Sequence, residues 1–241
     1  MKKITEGIYF IPGQDDFIPD CHTYLIGEPS SRDLSLIDAG LMGKGKYKIE
    51  SILGMGIECA DIKRVIMTHT HLDHIGCLAD ILRVIPHAEV WVHAMEAEPL
   101  ERGDERIVYG MDMFRGICQA QYGIEPGAFC FEVQRKLDGD ETLEIGGQSW
   151  EVIHVPGHSE GSIALYDRTG KILIPGDVVY ADYAIGRFDL VGSSGAQHKE
   201  SLYTLAELEV DVLLPGHNRI LEKVPPGYIL STAKQWAPYL T

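Results

Sequence analysis

Apolar residues along the chain fall into short blocks that alternate between strand-like and helix-like spacing. Ile4 to Ile11 and His22 to Ile26 are β-rich runs separated by the polar, proline-containing stretch Gln14 to Asp20, which predicts two strands joined by a loop. Leu34 to Ile37 is a third run and ends in Asp38-Ala39-Gly40. From Lys44 to Gly54, residues Ile49, Ile52 and Leu53 share one helical face, and Gly54 and Gly56 can stop that helix. Arg64 to Thr68 reads as a buried strand; beyond it Ile75, Leu78, Ala79 and Leu82 recur at helical spacing, so one helix is expected from near Asp73 to Pro86. Glu89 to His93 alternates into another strand.

Residues Ala94 to Gln134 lack a clean period, and their methionines and aromatics are spread among charges; the expectation is a partly helical insertion whose side chains line a substrate mouth or pack a connecting helix. Leu143 to Ile145 and Trp150 to Val155 flank Gly146-Gly147-Gln148, a hairpin signal, and Ser162 to Tyr166 and Ile172 to Pro175 flank a second turn. A helix around Leu202 to Ala206, a short strand at Asp211 to Leu214 and a terminal helix complete the chain. No linker separates the halves, so residues 1–241 read as one α/β domain with two sheets inside and helices outside.

Composition narrows the function. With 36 acidic against 21 basic residues the net charge is −15, which disfavours nucleic acid as partner. The odd count of 5 cysteines argues against a disulfide framework and for a reducing, cytoplasmic setting, with the thiols as small core residues. Neither a signal-peptide apolar region nor a run long enough to span a membrane is expected.

The chemistry concentrates in Thr68-His69-Thr70-His71-Leu72-Asp73-His74, on the predicted strand-to-helix turn. In extended backbone, side chains two apart share a face, so His69 and His71 can address one ion. Asp73 and His74, at the helix start, are turned to serve a second ion about 3.5–4 Å away. Three further turns, Pro156-Gly157-His158, Pro175-Gly176-Asp177 and Pro215-Gly216-His217, each place a metal-capable side chain just past a short apolar strand. Glycine before the ligand lets the backbone bend sharply.

In this order the seven residues resemble the metallo-β-lactamase superfamily, and the chain is similar to its glyoxalase II-like and lactonase-like hydrolases. The resemblance implies a four-layer αββα sandwich, with His69, His71 and His158 on one metal, Asp73, His74 and His217 on another, and Asp177 bridging. Zinc is the expected metal, with iron and manganese as alternatives. A hydroxide bridging the ions would attack a thioester, ester or lactone carbonyl in a small acyl substrate, with Asp73 orienting it and relaying its proton. Asp38 matches a residue that supports the site from behind by fixing an imidazole tautomer. Tyr180, three residues after Asp177, stands where lactonases place a phenol near the metals. Ile185-Gly186-Arg187-Phe188-Asp189-Leu190 is similar to a Gly-Arg-Thr-Asp-Leu stretch of glyoxalase II-like and persulfide dioxygenase-like members, with Phe188 replacing the Thr, so Arg187 and Asp189 are expected to pair with each other. The alternative the family offers is a mononuclear iron, persulfide dioxygenase-like oxidoreductase. Only 24 residues follow His217, too few for the glutathione-binding helices of glyoxalase II. His22, His87, His93, His154 and His198 read as surface or core histidines, and self-association is left open.

Overall fold

The computed structural model describes residues 1–14 and 19–241. The polar loop expected over Gln14 to Asp20 contains residues 15–18, which lie outside the described residues. The chain divides into two compact units, residues 1–136 with 144–148 and residues 137–143 with 149–241.

The first unit is built on the seven-stranded sheet β1 to β7 in sequence order. The run expected as one strand over Ile4 to Ile11 is a hairpin, β1 (Lys2–Thr5) and β2 (Ile8–Ile11), because Gly7 takes a φ of +66° and turns the chain. β3 (Thr23–Ile26) and β4 (Leu34–Ile37) continue antiparallel, and β4, β5 (Ile62–Ile66) and β6 (Glu89–His93) are mutually parallel. β7 (Arg135–Leu137) closes the order. Leu36, Val65 and Val90 pack with Ile49 and Ile52 of helix α1 (Gly45–Leu53) and share one apolar core.

The single helix expected from Asp73 to Pro86 is two, α2 (Leu72–Ile75) and α3 (Leu78–Val84). The break has a packing cause. The Gly40 to Met42 segment docks against the turn: Ala39 and Gly40 donate to the His74 carbonyl at 2.8 and 2.7 Å, and Cys77 donates to Gly40 at 2.8 Å. A Cβ on Gly76 would lie 2.5 Å from the Met42 nitrogen, so only glycine admits this approach. The region after β6 holds three helices, α4 (Ala94–Glu101), α5 (Glu105–Tyr109) and α6 (Asp112–Tyr122).

In the second unit a five-stranded sheet runs β12-β11-β10-β9-β8. β8 (Thr142–Ile145) and β9 (Gln148–His154) meet at Gly146 and Gly147, both at positive φ as a tight hairpin requires. β10 (Ile163–Asp167) and β11 (Ile172–Ile174) are antiparallel, and β12 (Val212–Leu213) adds in parallel. Helices α7 (Gly195–Ala206) and α8 (Tyr228–Trp236) bury Leu202, Leu205, Ile229 and Ala233 with Ala164, Leu173 and Leu213 of the sheet. Among the described residues no helix is long and apolar enough to cross a membrane.

Candidate metal centre

In the first unit, the metal-rich loop leaves β5 at the carboxyl end of the parallel strands, where Met67 still donates to Trp91 O at 2.9 Å. Asp38, at the end of neighbouring β4, organises that loop through its side chain. It holds a φ of +59°, a conformation Asp tolerates better than most residues. Its Oδ1 accepts from the Thr68 backbone N–H at 2.7 Å, and its Oδ2 accepts from the Thr68 hydroxyl at 2.8 Å. The same Oδ2 accepts from His74 Nδ1 at 2.9 Å.

These bonds fix tautomers. A hydroxyl has one proton, and Thr68 gives it to Asp38, so the Thr68 oxygen 3.1 Å from His69 Nδ1 accepts from that ring. His69 and His74 therefore both donate from Nδ1, which in the neutral ring leaves the lone pair on Nε2. His71 is extended (φ −65°, ψ 153°), with its ring 4.7 Å from that of His69 in a T-shaped arrangement. His69 and His71 offer ligand atoms within 4.8 Å of each other, as do Asp73 and His74. Asp73 is the one carboxylate of this group with substantial solvent access, at 23% side-chain exposure.

In the second unit, the three turns bring their metal-capable side chains together as well. His217 Nε2 and His158 Nε2 lie 3.4 and 3.6 Å from Asp177 Oδ2. Two ligands about 2.0–2.1 Å from one tetrahedral ion are separated by about 3.3–3.4 Å, so these spacings fit donors that share an ion better than a direct hydrogen bond. His158 Nδ1 donates to the Arg187 carbonyl at 2.7 Å, which in the neutral ring leaves the lone pair on Nε2. The turn carrying His158 is clamped by residues near the start of α7: Ser193 Oγ donates to His158 O, Ser194 N to Gly157 O and Ser201 Oγ to Pro156 O, at 2.7, 2.8 and 2.7 Å. Gly157 is obligatory there, since its Cβ would stand 2.2 Å from the His198 nitrogen.

Buried side chains behind the first cluster complete its frame. Lys48 Nζ pairs with Asp20 Oδ2 at 3.1 Å, both fully buried, and donates to the Cys21 carbonyl at 2.7 Å. Thr70 donates to buried Glu96 at 2.6 Å. Cys21 lies within 4.8 Å of the Asp38 and His74 ligand atoms, and burial pushes its thiol up to about 12 despite the opposing pull of His74. Cys130 departs from the expected core role of the cysteines and is exposed. His22 is packed between Phe10 and Tyr24 and accepts from Gly13 N at 2.8 Å, a structural role. Buried His198 donates to Val178 O at 2.8 Å, and burial lowers its pKa to about 4. Tyr180, 8% exposed, sets its ring edge-on to His217 at 6.0 Å. Arg187 and Asp189 form the expected ion pair, with two bonds of 2.8 Å.

Sequence reasoning missed the Lys48–Asp20 pair, the Thr70–Glu96 bond and the His158-to-Arg187 carbonyl bond. None had a periodic signal, although Gly186 was legible as part of the Gly-Arg motif: a Cβ there would meet Asp177 O at 1.9 Å and His158 Nδ1 at 3.0 Å.

Imidazoles that donate from Nδ1 beside carboxylates, on strand-end turns of an α/β chain, are suited to holding divalent metal ions. A model of the metallo-β-lactamase superfamily matches residues 19–217, and the chain belongs to that superfamily. It is similar to the probable metallo-hydrolase YqgX of Bacillus subtilis, at 31% identity over 73% of this chain and 74% of that one. It is also similar to the acyl-coenzyme A thioesterase MBLAC2 of Gallus gallus, at 36% identity over 63% of this chain; the match spans 55% of MBLAC2, about half its length. Among solved structures, the BLEG-1 B3 metallo-β-lactamase aligns with a TM-score of 0.73 at 22% identity, covering 97% of this chain and 99% of that one. A metallo-β-lactamase family protein from Thermus thermophilus aligns with a TM-score of 0.73 at 20% identity, covering 97% and 79%. The fold is thus the αββα class the sequence implied.

Proposed function

We propose that the two clusters act together as one dinuclear centre that hydrolyses an acyl thioester. His69, His71 and His158 would hold one ion, Asp73, His74 and His217 the other, and Asp177 both. Bound there, two divalent ions supply an activated water and polarise an acyl carbonyl. The chain's own part is positioning. Asp38 and the Arg187 carbonyl fix the Nδ1–H tautomers of His74 and His158 and aim their Nε2 atoms. Asp73, the accessible carboxylate, takes the proton released as water adds. The Tyr180 hydroxyl donates to the acyl oxygen as it gains charge.

The observation that carries the reading is the Asp38–Thr68–His69/His74 network, a buried device whose effect is to present imidazole lone pairs. The thioester preference is supported by the likeness to MBLAC2. Retention of all the second-ion candidates, Asp73, His74 and His217, weighs for hydrolysis over the mononuclear iron alternative. The test is release of free thiol from acetyl-, decanoyl- and palmitoyl-coenzyme A, with N-acyl homoserine lactones run in parallel. Thiol release that disappears in His71→Ala is the expected result. Cleavage of lactones alone would move the assignment to a lactonase, and oxygen uptake with a persulfide substrate and no hydrolysis would overturn it.

A further inference from the structure

The turn that follows Asp177 is strained, and the strain sits beside a ligand. Asp182 and Tyr183 have φ values of +60° and +57° in succession, a left-handed pair without glycine. Aspartate tolerates this conformation, whereas a bulky Tyr rarely adopts it, so surrounding bonds must impose it. Those bonds come largely from the terminal helix. The Tyr228 hydroxyl donates to Tyr180 O at 2.9 Å and accepts from Tyr183 N–H at 2.8 Å, so one oxygen bridges both ends of the turn. Trp236 Nε1–H donates to Tyr183 O at 2.8 Å, and the Tyr183 and Tyr228 rings stack at 4.6 Å. Arg219, two residues beyond His217, grips Asp182 through two bonds of 3.2 and 2.6 Å. The residue thus fixed at the start of the turn is Tyr180, whose ring faces His217.

We infer that Tyr228 is a positioning residue for the reaction: its hydroxyl holds the strained 180–183 turn so that Tyr180 meets the acyl group at the His217 side of the site. The inference rests on the hydrolase reading above. Two features single out the hydroxyl from ordinary packing. Tyr228 is 5% exposed and belongs to the apolar core of the second unit, so packing alone asks for nothing more than Phe. Its oxygen makes both of its bonds to backbone groups of the strained turn. A relaxed turn would let Tyr183 return to an ordinary φ and swing the Tyr180 backbone, and displacement of a positioned group by an ångström costs on the order of 100-fold in rate.

The experiment compares Tyr228→Phe, Tyr180→Phe and the double variant in the metal-loaded full chain, with amide hydrogen exchange of residues 180–184 measured on the metal-free protein. Tyr228→Phe keeps the ring and its stack on Tyr183. The expected result is faster exchange at Tyr183, kcat on an acyl thioester lowered about 10- to 100-fold with KM moved less than threefold, and a double variant no worse than about twofold below Tyr180→Phe. Independent, multiplying losses from the two substitutions would overturn the inference, because a merely structural Tyr228 adds its effect to that of Tyr180. Unchanged exchange at 180–184 in Tyr228→Phe would overturn it whatever the kinetics. A wild-type chain that cleaves no thioester, ester or lactone would instead sink the hydrolase reading, and the exchange arm would still decide whether Tyr228 holds the turn.

Discussion

Replacing Asp38 with Asn tests the tautomer network more sharply than removing a ligand. The carboxylate accepts three hydrogen bonds, from Thr68 N, Thr68 Oγ1 and His74 Nδ1, at 2.7, 2.8 and 2.9 Å. Asn keeps the left-handed backbone and one acceptor oxygen for Thr68 N–H. Its amide NH2 then faces Thr68 Oγ1 and His74 Nδ1, and a donor opposite Nδ1–H is repulsive. The His74 ring answers by moving its proton to Nε2, the atom that must stay a lone pair. The Thr68 hydroxyl, now accepting from the amide, turns its proton towards His69 and drives the same switch there. One hydrogen bond to a charged group contributes about 1.5–3 kcal/mol, and loss of such a supporting partner lowers metal affinity about 10- to 100-fold. Asp38→Ala loses all three bonds and adds backbone strain, so it should also destabilise the fold by about 3–5 kcal/mol. The assay is chelator-competition titration of zinc alongside urea melts of the metal-free protein. Asn should weaken binding while the melt changes by less than about 2 kcal/mol. Wild-type zinc affinity in Asp38→Asn would show that Asp38 does not set the ligand tautomers.

Gly186→Ala places a methyl 1.9 Å from Asp177 O, so the variant should lose about 2–3 kcal/mol or more in a urea melt together with metal affinity, and a wild-type melt would contradict the close approach. Lys48→Met leaves the Asp20 carboxylate buried without its cation and should cost about 3–5 kcal/mol, with Asp20→Asn in the same chain recovering much of the loss; an unaltered midpoint in the single variant would refute the pairing. His198 has a folded pKa lowered from 6.5 to about 4 by burial. Between those values the unfolded chain binds a proton that the folded chain refuses, so stability is complete above about pH 6.5 and falls as pH drops towards 4, by up to about 3 kcal/mol. His198→Gln should flatten that part of the stability–pH curve, and an equally steep curve in the variant would show that another group is responsible.

The candidate ligands could be named from the sequence because metal chemistry permits few residue types and the strand-end turns repeat them at Pro-Gly positions. Most strands were legible too, since β6 and the Gly146-Gly147 hairpin fall where alternation and turn residues put them. The errors have identifiable causes. Ile4 to Ile11 looked continuous because Glu6-Gly7 is a two-residue turn inside an apolar run. The helix after the metal loop looked unbroken because its interruption at Gly76 is imposed by the Gly40 to Met42 segment, a contact distant in sequence. Lys48 appeared as one more lysine on an amphipathic helix; only burial against Asp20 reveals it as an internal ion. Asp38 was found through its place in a motif, but its reach through Thr68 to His69 needed the structure.

The most direct test of the central claim is the number of metal ions bound per chain, measured on chelated and reloaded protein with thiol release from an acyl-coenzyme A followed at each step. The account predicts two divalent ions per chain at full activity, no activity after chelation, and a loss of one ion's worth of binding in either His71→Ala or His217→Ala. Full thioester hydrolysis by chelated protein, or saturation at a single ion with no hydrolysis, would contradict it.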